Sequence, residues 1–158
     1  MWFEGIPLGH RTELGTYTFS EKAIMDFARA YDPQPFHIDR EAAAKSVYGG
    51  IIASGWHTAC VWMKLMMEYR AKHPVAGDRQ TSLVSPGFRD LRWFKPVRPG
   101  MTLTYSTETA AKLDWKSRPE LGLLESKNEA RDETGELMMS FVGRVLLMRK
   151  PHPSTGSG

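Results

Sequence analysis

The chain has 158 residues and a mass of 17.9 kDa, which is the size of one ordinary globular domain. Its residues are 41% hydrophobic, 11% aromatic and 25% charged, a composition that excludes a disordered chain and a fibrous repeat. The net charge is only +3 and charges of both signs are scattered along the chain, so the sequence argues against nucleic-acid binding. The single cysteine, Cys60, excludes a disulfide framework.

No segment predicts a contact with a membrane. The most apolar stretch, Trp56–Met67, contains His57 and Lys64 and is far shorter than the roughly 18 residues of a membrane span. The first residues of the chain lack the basic and apolar regions of a secretory signal. We therefore expect a cytoplasmic protein that has no membrane partner.

The predicted structure begins with a strand and a helix. The strand is expected over Glu13–Phe19, which ends in four good strand formers, Thr, Tyr, Thr and Phe. Ser20 follows at a position where it can cap a helix, and apolar residues recur at helical spacing up to about Ala30. A short strand should therefore lead directly into an amphipathic helix.

A segment with two prolines comes next. Pro33 and Pro35 fix their own backbone angles and push the preceding residues out of the α region, so residues 32–36 are predicted to be extended or turned. Asp39 then caps a short helix over 40–46, which contains three consecutive alanines. For Asp39 we predict only this capping role.

The longest predicted helix spans Trp56–Lys72 and follows a glycine-rich loop over Tyr48–Gly55. Apolar residues cover most of its circumference, which indicates that other structure surrounds it. The helical spacing of Cys60 and of the methionines, Met63 among them, favours core packing over redox or metal chemistry. The histidines of the chain are too dispersed to form a set of metal ligands, so no metal site is predicted.

The second half of the chain predicts strands separated by turns that contain Pro, Gly or charged residues. The expected strands are Ser82–Lys95, Met101–Lys112, Leu121–Arg131 and Leu137–Arg149. An antiparallel sheet covered on one side by the long helix is the simplest arrangement that buries both apolar surfaces. The predicted fold class is therefore α+β, with one domain over residues 1–150 and a disordered tail over 151–158.

Two neighbouring segments carry the informative motif. Residues 31–39 read Tyr-Asp-Pro-Gln-Pro-Phe-His-Ile-Asp, and residues 49–55 read Gly-Gly-Ile-Ile-Ala-Ser-Gly. This pattern resembles the MaoC-like dehydratases, the hot-dog-fold group that includes the (R)-specific enoyl-CoA hydratases. Residues 88–100 resemble the strand and turn that follow the central helix in that family, so the resemblance covers most of the chain. It implies a hot-dog fold, in which a curved antiparallel β-sheet wraps around a long central α-helix.

The resemblance also implies roles for individual residues. Asp32 and His37 would hold and activate a water between them, and the backbone N–H of Gly55 would bind the thioester oxygen. Hydration of an enoyl thioester needs a base, an acid and a donor for the enolate oxygen, and these groups can supply all three. Residues five apart on a straight strand lie about 16 Å apart, so a bend between Asp32 and His37 is required. Ser54 and Met63 are the further candidates for the substrate pocket.

Each candidate also has a structural alternative. Asp32 is typical of a turn before proline, and Ser54 with Gly55 can simply begin a helix. His57 either faces the site or is a buried, hydrogen-bonded histidine of the core. Four basic residues are either solvated charges at a strand edge or contacts to the phosphates of coenzyme A: Arg89, Arg92, Lys95 and Arg98.

The chain departs from the family pattern at two positions. Gln34 stands where the family has Asn, which is expected to change a hydrogen bond beside the site. Met63 stands where the better-known hydratases have a Ser on the central helix, so that hydroxyl is absent. These departures bear on substrate range or rate more than on the reaction type, because the acid–base pair is present.

The predicted activity is that of a lyase that adds water to a 2-enoyl thioester or eliminates it from a 3-hydroxyacyl thioester. No cofactor is predicted apart from coenzyme A, or the pantetheine of an acyl carrier protein, as the carrier of the substrate. A hot-dog acyl-CoA thioesterase and a non-catalytic acyl-thioester binding module remain open alternatives. The resemblance implies a homodimer or higher assembly with the site near the subunit interface. Leu137–Arg149 is expected to be an edge strand that pairing would protect.

Overall fold

A computed structural model describes residues 1–74 and 82–152 of the chain. Within these residues, five strands form one antiparallel sheet in the order β1-β3-β4-β5-β2, and the longest helix packs on one face of that sheet. The elements in chain order are a 3₁₀ turn over Phe3–Gly5, β1 over Arg11–Thr18, α1 over Glu21–Tyr31, α2 over Pro35–Ile38, α3 over Arg40–Lys45, α4 over Gly55–Lys72, β2 over Gly87–Trp93, β3 over Thr102–Asp114, β4 over Leu121–Arg131 and β5 over Leu137–Met148. No helix in the described ranges is long and apolar enough to cross a membrane. The predicted disordered tail over 151–158 lies outside the described residues from 153 onwards.

The first two predicted helix caps are confirmed. Ser20 Oγ accepts a hydrogen bond from the backbone N of Ala23 at 3.1 Å at the start of α1. Asp39 Oδ1 accepts from the backbone N atoms of Glu41 and Ala42 at 3.0 and 3.1 Å at the start of α3. Each carboxylate or hydroxyl oxygen satisfies N–H groups that have no partner inside the helix, which is why these helices begin where the sequence predicts.

The segment with two prolines differs from the prediction. Gln34 is extended, as expected, but Pro35 and Phe36 belong to the short helix α2 rather than to an extended or turned segment. Pro35 occupies the first position of α2, where its fixed φ suits a helix and its missing N–H is not needed. The prediction was wrong at these two residues because proline restricts the residue before it but favours the start of a helix after it.

The first strand after α4 is shorter than predicted. It begins at Gly87, directly after Pro86, and Ser82 lies outside it in an isolated bridge with Leu147. Pro86 has no N–H to donate to a neighbouring strand, so it limits β2 on its N-terminal side. The pairing of β2 with β5 also has an irregularity between Arg89 and Arg92. The remaining strands agree with their predicted positions to within a few residues.

The position of β5 in the sheet corrects another expectation. It lies between β4 and β2 and pairs with both, so it is not an edge strand. Its sequence is largely apolar, and an interior position protects such a strand from pairing with other chains, which an open edge would allow. The edges of the described sheet are β1 and β2.

The core lies between α4 and the sheet. Val61 and Leu65 on α4 are buried in one cluster with Tyr105 of β3 and Met139 of β5. The hydroxyl of Tyr105 donates a hydrogen bond to the backbone oxygen of Thr58 at 2.8 Å, which fixes the first half of α4 against the sheet. This contact holds the N-terminus of α4 in a constant position relative to the strands.

The opposite side of α4 is not covered within the described chain. Trp56 and Met63 are each 52% exposed, Met67 is 45% exposed, and Cys60 is also exposed. The expectation that other structure surrounds the helix, with Cys60 and Met63 packed in the core, is therefore not met by the described residues, because the sheet covers only one face. We refer to Trp56, Cys60, Met63 and Met67 as the apolar stripe of α4; their spacing places them along one face of the helix.

His57 lies in a cluster of aromatic rings on the inner side of α4. It is 5% exposed, stacks on Phe27 at 4.7 Å with an interplanar angle of 5°, and contacts the edge of Phe19 at 5.0 Å. Among the described residues its Nδ1 has no hydrogen-bond partner. The structure therefore buries His57, as one alternative expected, but without the expected hydrogen bond. Burial lowers its pKa from 6.5 to about 4.

Replacing His57 by Phe is expected to reduce the loss of stability in acid. The unfolded chain protonates His57 below its ordinary pKa of 6.5, whereas the folded chain keeps it neutral down to about 4. The stability that His57 contributes above pH 6.5 is therefore lost as the pH falls towards 4, by about 2–3 kcal/mol at pH 4.5. Urea unfolding at pH 7.5 and 4.5 measures this difference, and His73→Phe, at an exposed histidine, is the control. If the free energy of unfolding fell equally between pH 7.5 and 4.5 in the wild-type protein and in His57→Phe, that result would contradict the prediction.

Candidate active site

Asp32 and His37 come together at the junction of α1 and α2. Asp32 is the C-cap residue of α1, and His37 lies in α2, where it is 4% exposed. The side chains meet with His37 Nε2 at 3.3 Å from Asp32 Oδ2. The bend that the sequence requires between the two residues is formed by extended Gln34 followed by α2. The sequence therefore placed the bend correctly, although a helical turn rather than an extended segment completes it.

A backbone carbonyl fixes the proton position on the His37 ring. The Nδ1 atom lies 2.6 Å from the backbone oxygen of Ile52. A carbonyl oxygen can only accept, so Nδ1 carries the hydrogen of this bond. In the neutral ring, Nε2 is then an unprotonated acceptor that faces the Asp32 carboxylate. Each of these two acceptors can receive a hydrogen from a water molecule bound beside the pair.

Gln34 holds the other oxygen of the carboxylate. Its Nε2 donates to Asp32 Oδ1 at 2.7 Å, which leaves Oδ2 directed towards His37. Partial burial acts to raise the pKa of Asp32, but the hydrogen bond from Gln34, the nearby hydroxyl of Ser54 and the neighbouring His37 together hold that pKa below its ordinary value. Asp32 is therefore ionised at neutral pH and can act as a hydrogen-bond acceptor or base.

The N-terminus of α4 forms the opposite side of the site. Gly55 is its first residue, and no group in residues 1–74 or 82–152 accepts a hydrogen bond from the Gly55 N–H. The N-cap residue Ser54 makes no side-chain hydrogen bond to the helix. The first turn of a helix of this length presents free N–H groups and the positive end of the helix dipole, which favour a partial negative charge.

Trp93 explains why residue 55 is a glycine. A Cβ atom at this position would lie 2.4 Å from Cε2 of the Trp93 ring, which no real contact permits. The indole Nε1 also donates to the backbone oxygen of Gly55 at 2.9 Å. Close approach of an acyl group was the role expected for this glycine, but in the structure the Cβ direction is filled by the Trp93 indole.

A cleft of about 400 Å³ connects these groups, and we call it the Asp32 cleft. It is lined by Asp32, Gln34, Phe36, His37, Tyr48, Ile52, Ala53, Ser54, Gly55, Trp56, Thr58, Trp93, Phe94, Lys95, Pro96, Val97 and Met138. Of the predicted site residues, Asp32, His37, Ser54 and Gly55 are thus brought together. Met63 is not among the lining residues and lies on the apolar stripe of α4.

The basic residues near the site are in different environments. Lys95 lines the Asp32 cleft and forms an ion pair with Glu136 at 2.5 Å. Arg89 is instead paired with Asp90 at 2.7 Å and with Glu125 at 3.0 Å on the sheet. In the part of the chain that the structure describes, no cluster of three or more His, Cys, Asp or Glu side chains could hold a metal ion.

A larger cavity of about 980 Å³ lies elsewhere, at the turn between β3 and β4 and the end of β5. Its charged side chains are largely paired with one another, as Arg149 is with Asp114 at 2.5 Å and Arg118 with Glu120 at 2.6 Å. Its described lining contains no pair of acidic and basic groups comparable to Asp32 and His37. The smaller cleft is therefore the better candidate for chemistry, despite its size.

Three contacts support the site. The Ile52 carbonyl orients His37, the Gln34 amide holds Asp32, and Trp93 packs on Gly55. The sequence indicates a hydrogen bond of Gln34 beside the site without its partner, and it does not indicate the other two contacts. The residue type at position 52 does not indicate what its backbone carbonyl binds. Trp93 is far from Gly55 along the chain. Neither contact can therefore be predicted from the local sequence.

Comparison with known proteins supports a single family. The MaoC-like domain model matches residues 7–130. An uncharacterised protein of Bacillus subtilis, YdeM, is 35% identical over 126 residues, which is 78% of this chain and 82% of that protein. The crystal structure of a MaoC-like dehydratase from Rhodospirillum rubrum is 32% identical with a TM-score of 0.80, and the match covers 96% of this chain and 99% of the other.

Two further solved structures extend the similarity of the fold. The monoamine oxidase regulatory protein of Archaeoglobus is 27% identical with a TM-score of 0.86, and the match covers 96% of each chain. An (R)-hydratase from A. caviae is 20% identical with a TM-score of 0.65, over 94% of this chain and 99% of the other, a likeness that shows the fold. The predicted hot-dog fold, with an antiparallel sheet and a long central helix, is thereby confirmed. The chain belongs to the MaoC-like domain family.

Proposed function

We propose that this chain is a hydratase or dehydratase of acyl thioesters. It would add water to a 2-enoyl thioester or eliminate water from a 3-hydroxyacyl thioester. The observation that carries the proposal is the pair of Asp32 and His37, 3.3 Å apart in the Asp32 cleft, with His37 held by the Ile52 carbonyl. The (R)-hydratases that share the fold support the same reaction class.

In this mechanism one water molecule donates its two hydrogens to Asp32 Oδ2 and to unprotonated His37 Nε2. Its oxygen then has a free lone pair directed at the β carbon of the bound thioester. As the new C–O bond forms, one of the two residues takes up a proton from the water and a proton is returned to the α carbon. Such positioned acid–base groups typically contribute about 100-fold to 10,000-fold in rate.

The electron pair of the C=C bond moves towards the thioester carbonyl during this step, and negative charge develops on the carbonyl oxygen. The Gly55 N–H, which has no acceptor within the described residues, would donate to that oxygen. A donor that is already oriented costs no rearrangement at the moment of reaction. Elimination of water follows the same path in reverse, so the same groups serve both directions.

The substrate would be carried by coenzyme A or by an acyl carrier protein, and no further cofactor is needed for this chemistry. Lys95 at the Asp32 cleft is the basic residue best placed to meet a phosphate of that carrier. We place the reaction in the cytoplasm, as expected from the sequence, and cell fractionation tests this location.

We also propose a homodimer that covers the apolar stripe of α4 and the free edge of β2. Solved structures with this fold include complexes of two chains, such as HadBC of Mycobacterium tuberculosis. Trp56 and Met63 are half-exposed, and Trp56 contacts Trp93 at the end of the edge strand β2, which is the kind of surface that a second copy would bury. Light scattering after size-exclusion chromatography measures the mass, and a monomer at micromolar concentration would contradict this proposal.

The direct test of the proposed function uses crotonyl-CoA. Hydration is expected to remove the absorbance of the conjugated enoyl thioester without release of a free thiol. Both signals are followed in the same sample, with the thiol measured by a chromogenic disulfide reagent. Release of thiol would instead identify a thioesterase, and neither signal over a range of acyl chain lengths would identify a binding module.

A further inference from the structure

The hydroxyl of Ser54 is buried beside Asp32 and makes no hydrogen bond of good geometry with the described residues. Ser54 is 0% exposed, and no described atom forms a hydrogen bond of good geometry with its Oγ. It occupies the N-cap position of α4 with an extended backbone, yet its side chain does not cap the helix, unlike Ser20 at the start of α1. A buried hydroxyl without a good hydrogen bond lowers the stability of the fold, so its retention needs a reason.

Ser54 is positioned to share an acceptor with Gly55. Both residues line the Asp32 cleft, and Ser54 Oγ lies close enough to Asp32 to contribute to the lowered pKa of that carboxyl. The covalent geometry of the chain keeps the Oγ of one residue near the N–H of the next. The hydroxyl of Ser54, which makes no hydrogen bond of good geometry with a described atom, and the N–H of Gly55, which has no acceptor among the described residues, therefore both lie at the cleft at the start of α4.

We propose that Ser54 is a catalytic residue, whose hydroxyl donates to the thioester carbonyl oxygen together with the Gly55 N–H. This inference rests on the proposed function for the reaction, but carbonyl binding can be measured without turnover. In the hydration step Ser54 gives up no proton. It shortens its hydrogen bond as the C=C electron pair moves to the carbonyl oxygen, and lengthens it again when the α carbon is protonated.

The competing role for Ser54 is a hydrogen bond to Asp32, which would make it a positioning residue for the carboxylate. The two roles differ in their effect on the stretching frequency of the substrate carbonyl. A donor to the carbonyl lowers its stretching frequency, whereas a donor to Asp32 changes the pKa of Asp32 and leaves the carbonyl unaffected. A simple helix cap would change neither the carbonyl stretch nor the pKa of Asp32, but its removal would lower the melting temperature.

The test measures the carbonyl stretch of butyryl-CoA, labelled with ¹³C at the carbonyl, when it is bound to the wild-type protein and to Ser54→Ala. Butyryl-CoA has no double bond and cannot be hydrated. The carbonyl stretch is expected to fall on binding to the wild-type protein, and to fall clearly less in Ser54→Ala. With crotonyl-CoA, kcat of Ser54→Ala is expected to decrease on the order of 100-fold while KM changes little.

Ser20→Ala is the matched control, since it removes the hydroxyl of a serine that does cap its helix. It should lower the melting temperature and leave the carbonyl stretch unchanged, whereas Ser54→Ala should not lower the melting temperature. An identical carbonyl stretch in the wild-type protein and Ser54→Ala would overturn the inference, as would failure of the wild-type protein to bind butyryl-CoA. A shifted stretch without hydration of crotonyl-CoA would support the Ser54 contact and overturn the proposed function instead.

Discussion

Replacing Asp32 by Asn, or His37 by Ala, is expected to reduce the hydration of crotonyl-CoA by on the order of 100-fold to 10,000-fold. The Asp32→Asn change would keep the shape of the side chain, but the new amide could not accept a proton from water. The His37→Ala change would remove both the Nε2 acceptor and the link to the Ile52 carbonyl. Steady-state kinetics at neutral pH, with circular dichroism to confirm the fold, measure the effect.

Matched controls make this prediction specific to the pair. Asp39→Asn introduces the same chemical change seven residues further along, where Asn is an equally good helix cap. His73→Ala removes an exposed histidine at the end of α4. Both controls should keep near-normal turnover. Near-normal turnover in Asp32→Asn or in His37→Ala would falsify the roles assigned to the pair.

Gly55→Ala is expected to lower the free energy of unfolding by about 1–3 kcal/mol, although Ala is normally the better helix former. The added Cβ would lie 2.4 Å from the Trp93 ring, so the ring or the start of α4 must move. Any such movement also displaces the Gly55 N–H relative to Asp32 and His37. Hydration activity should therefore fall together with stability, and chemical denaturation and kinetics on the same samples measure both.

The steric origin of this effect can be tested by removing the ring. In a Trp93→Ala background, Gly55→Ala should lower the free energy of unfolding much less. The difference between its effects in the two backgrounds is the coupling energy of the two residues. Gly50→Ala is the matched control, because its Cβ would meet its nearest atom, Nη1 of Arg98, at an ordinary 3.8 Å. An equal cost of Gly55→Ala with and without Trp93 would contradict the packing explanation.

The elements of the fold were largely predictable from local patterns. The caps at Ser20 and Asp39, the long apolar helix and the strands of the second half follow from residue types at short range. The order of the strands could not be predicted in the same way, because the pairing of β2 with β5 depends on contacts between residues distant in the sequence. The uncovered stripe of α4 was also missed, since a helix that is apolar all round gives no sign of which face the sheet takes.

For the site, the sequence identified the residue types but not their supports. The family resemblance led to Asp32, His37 and Gly55, and the structure brings all three to one cleft. The partners that orient them were not predicted, because each belongs to a contact rather than to a motif. His57 illustrates the same limit: its burial was one of two alternatives, and only the packing of α1 against α4 decides between them.

The hydrogen bond from His37 to the Ile52 carbonyl determines which substitutions the protein tolerates at position 52. Since a main-chain atom sets the tautomer, no substitution of the Ile52 side chain deletes the group that does so. Position 52 is thus open to redesign: smaller or larger apolar residues would reshape the wall of the cleft while the imidazole keeps its proton on the same nitrogen. A directed-evolution library at this position would vary selectivity with little risk to the chemistry.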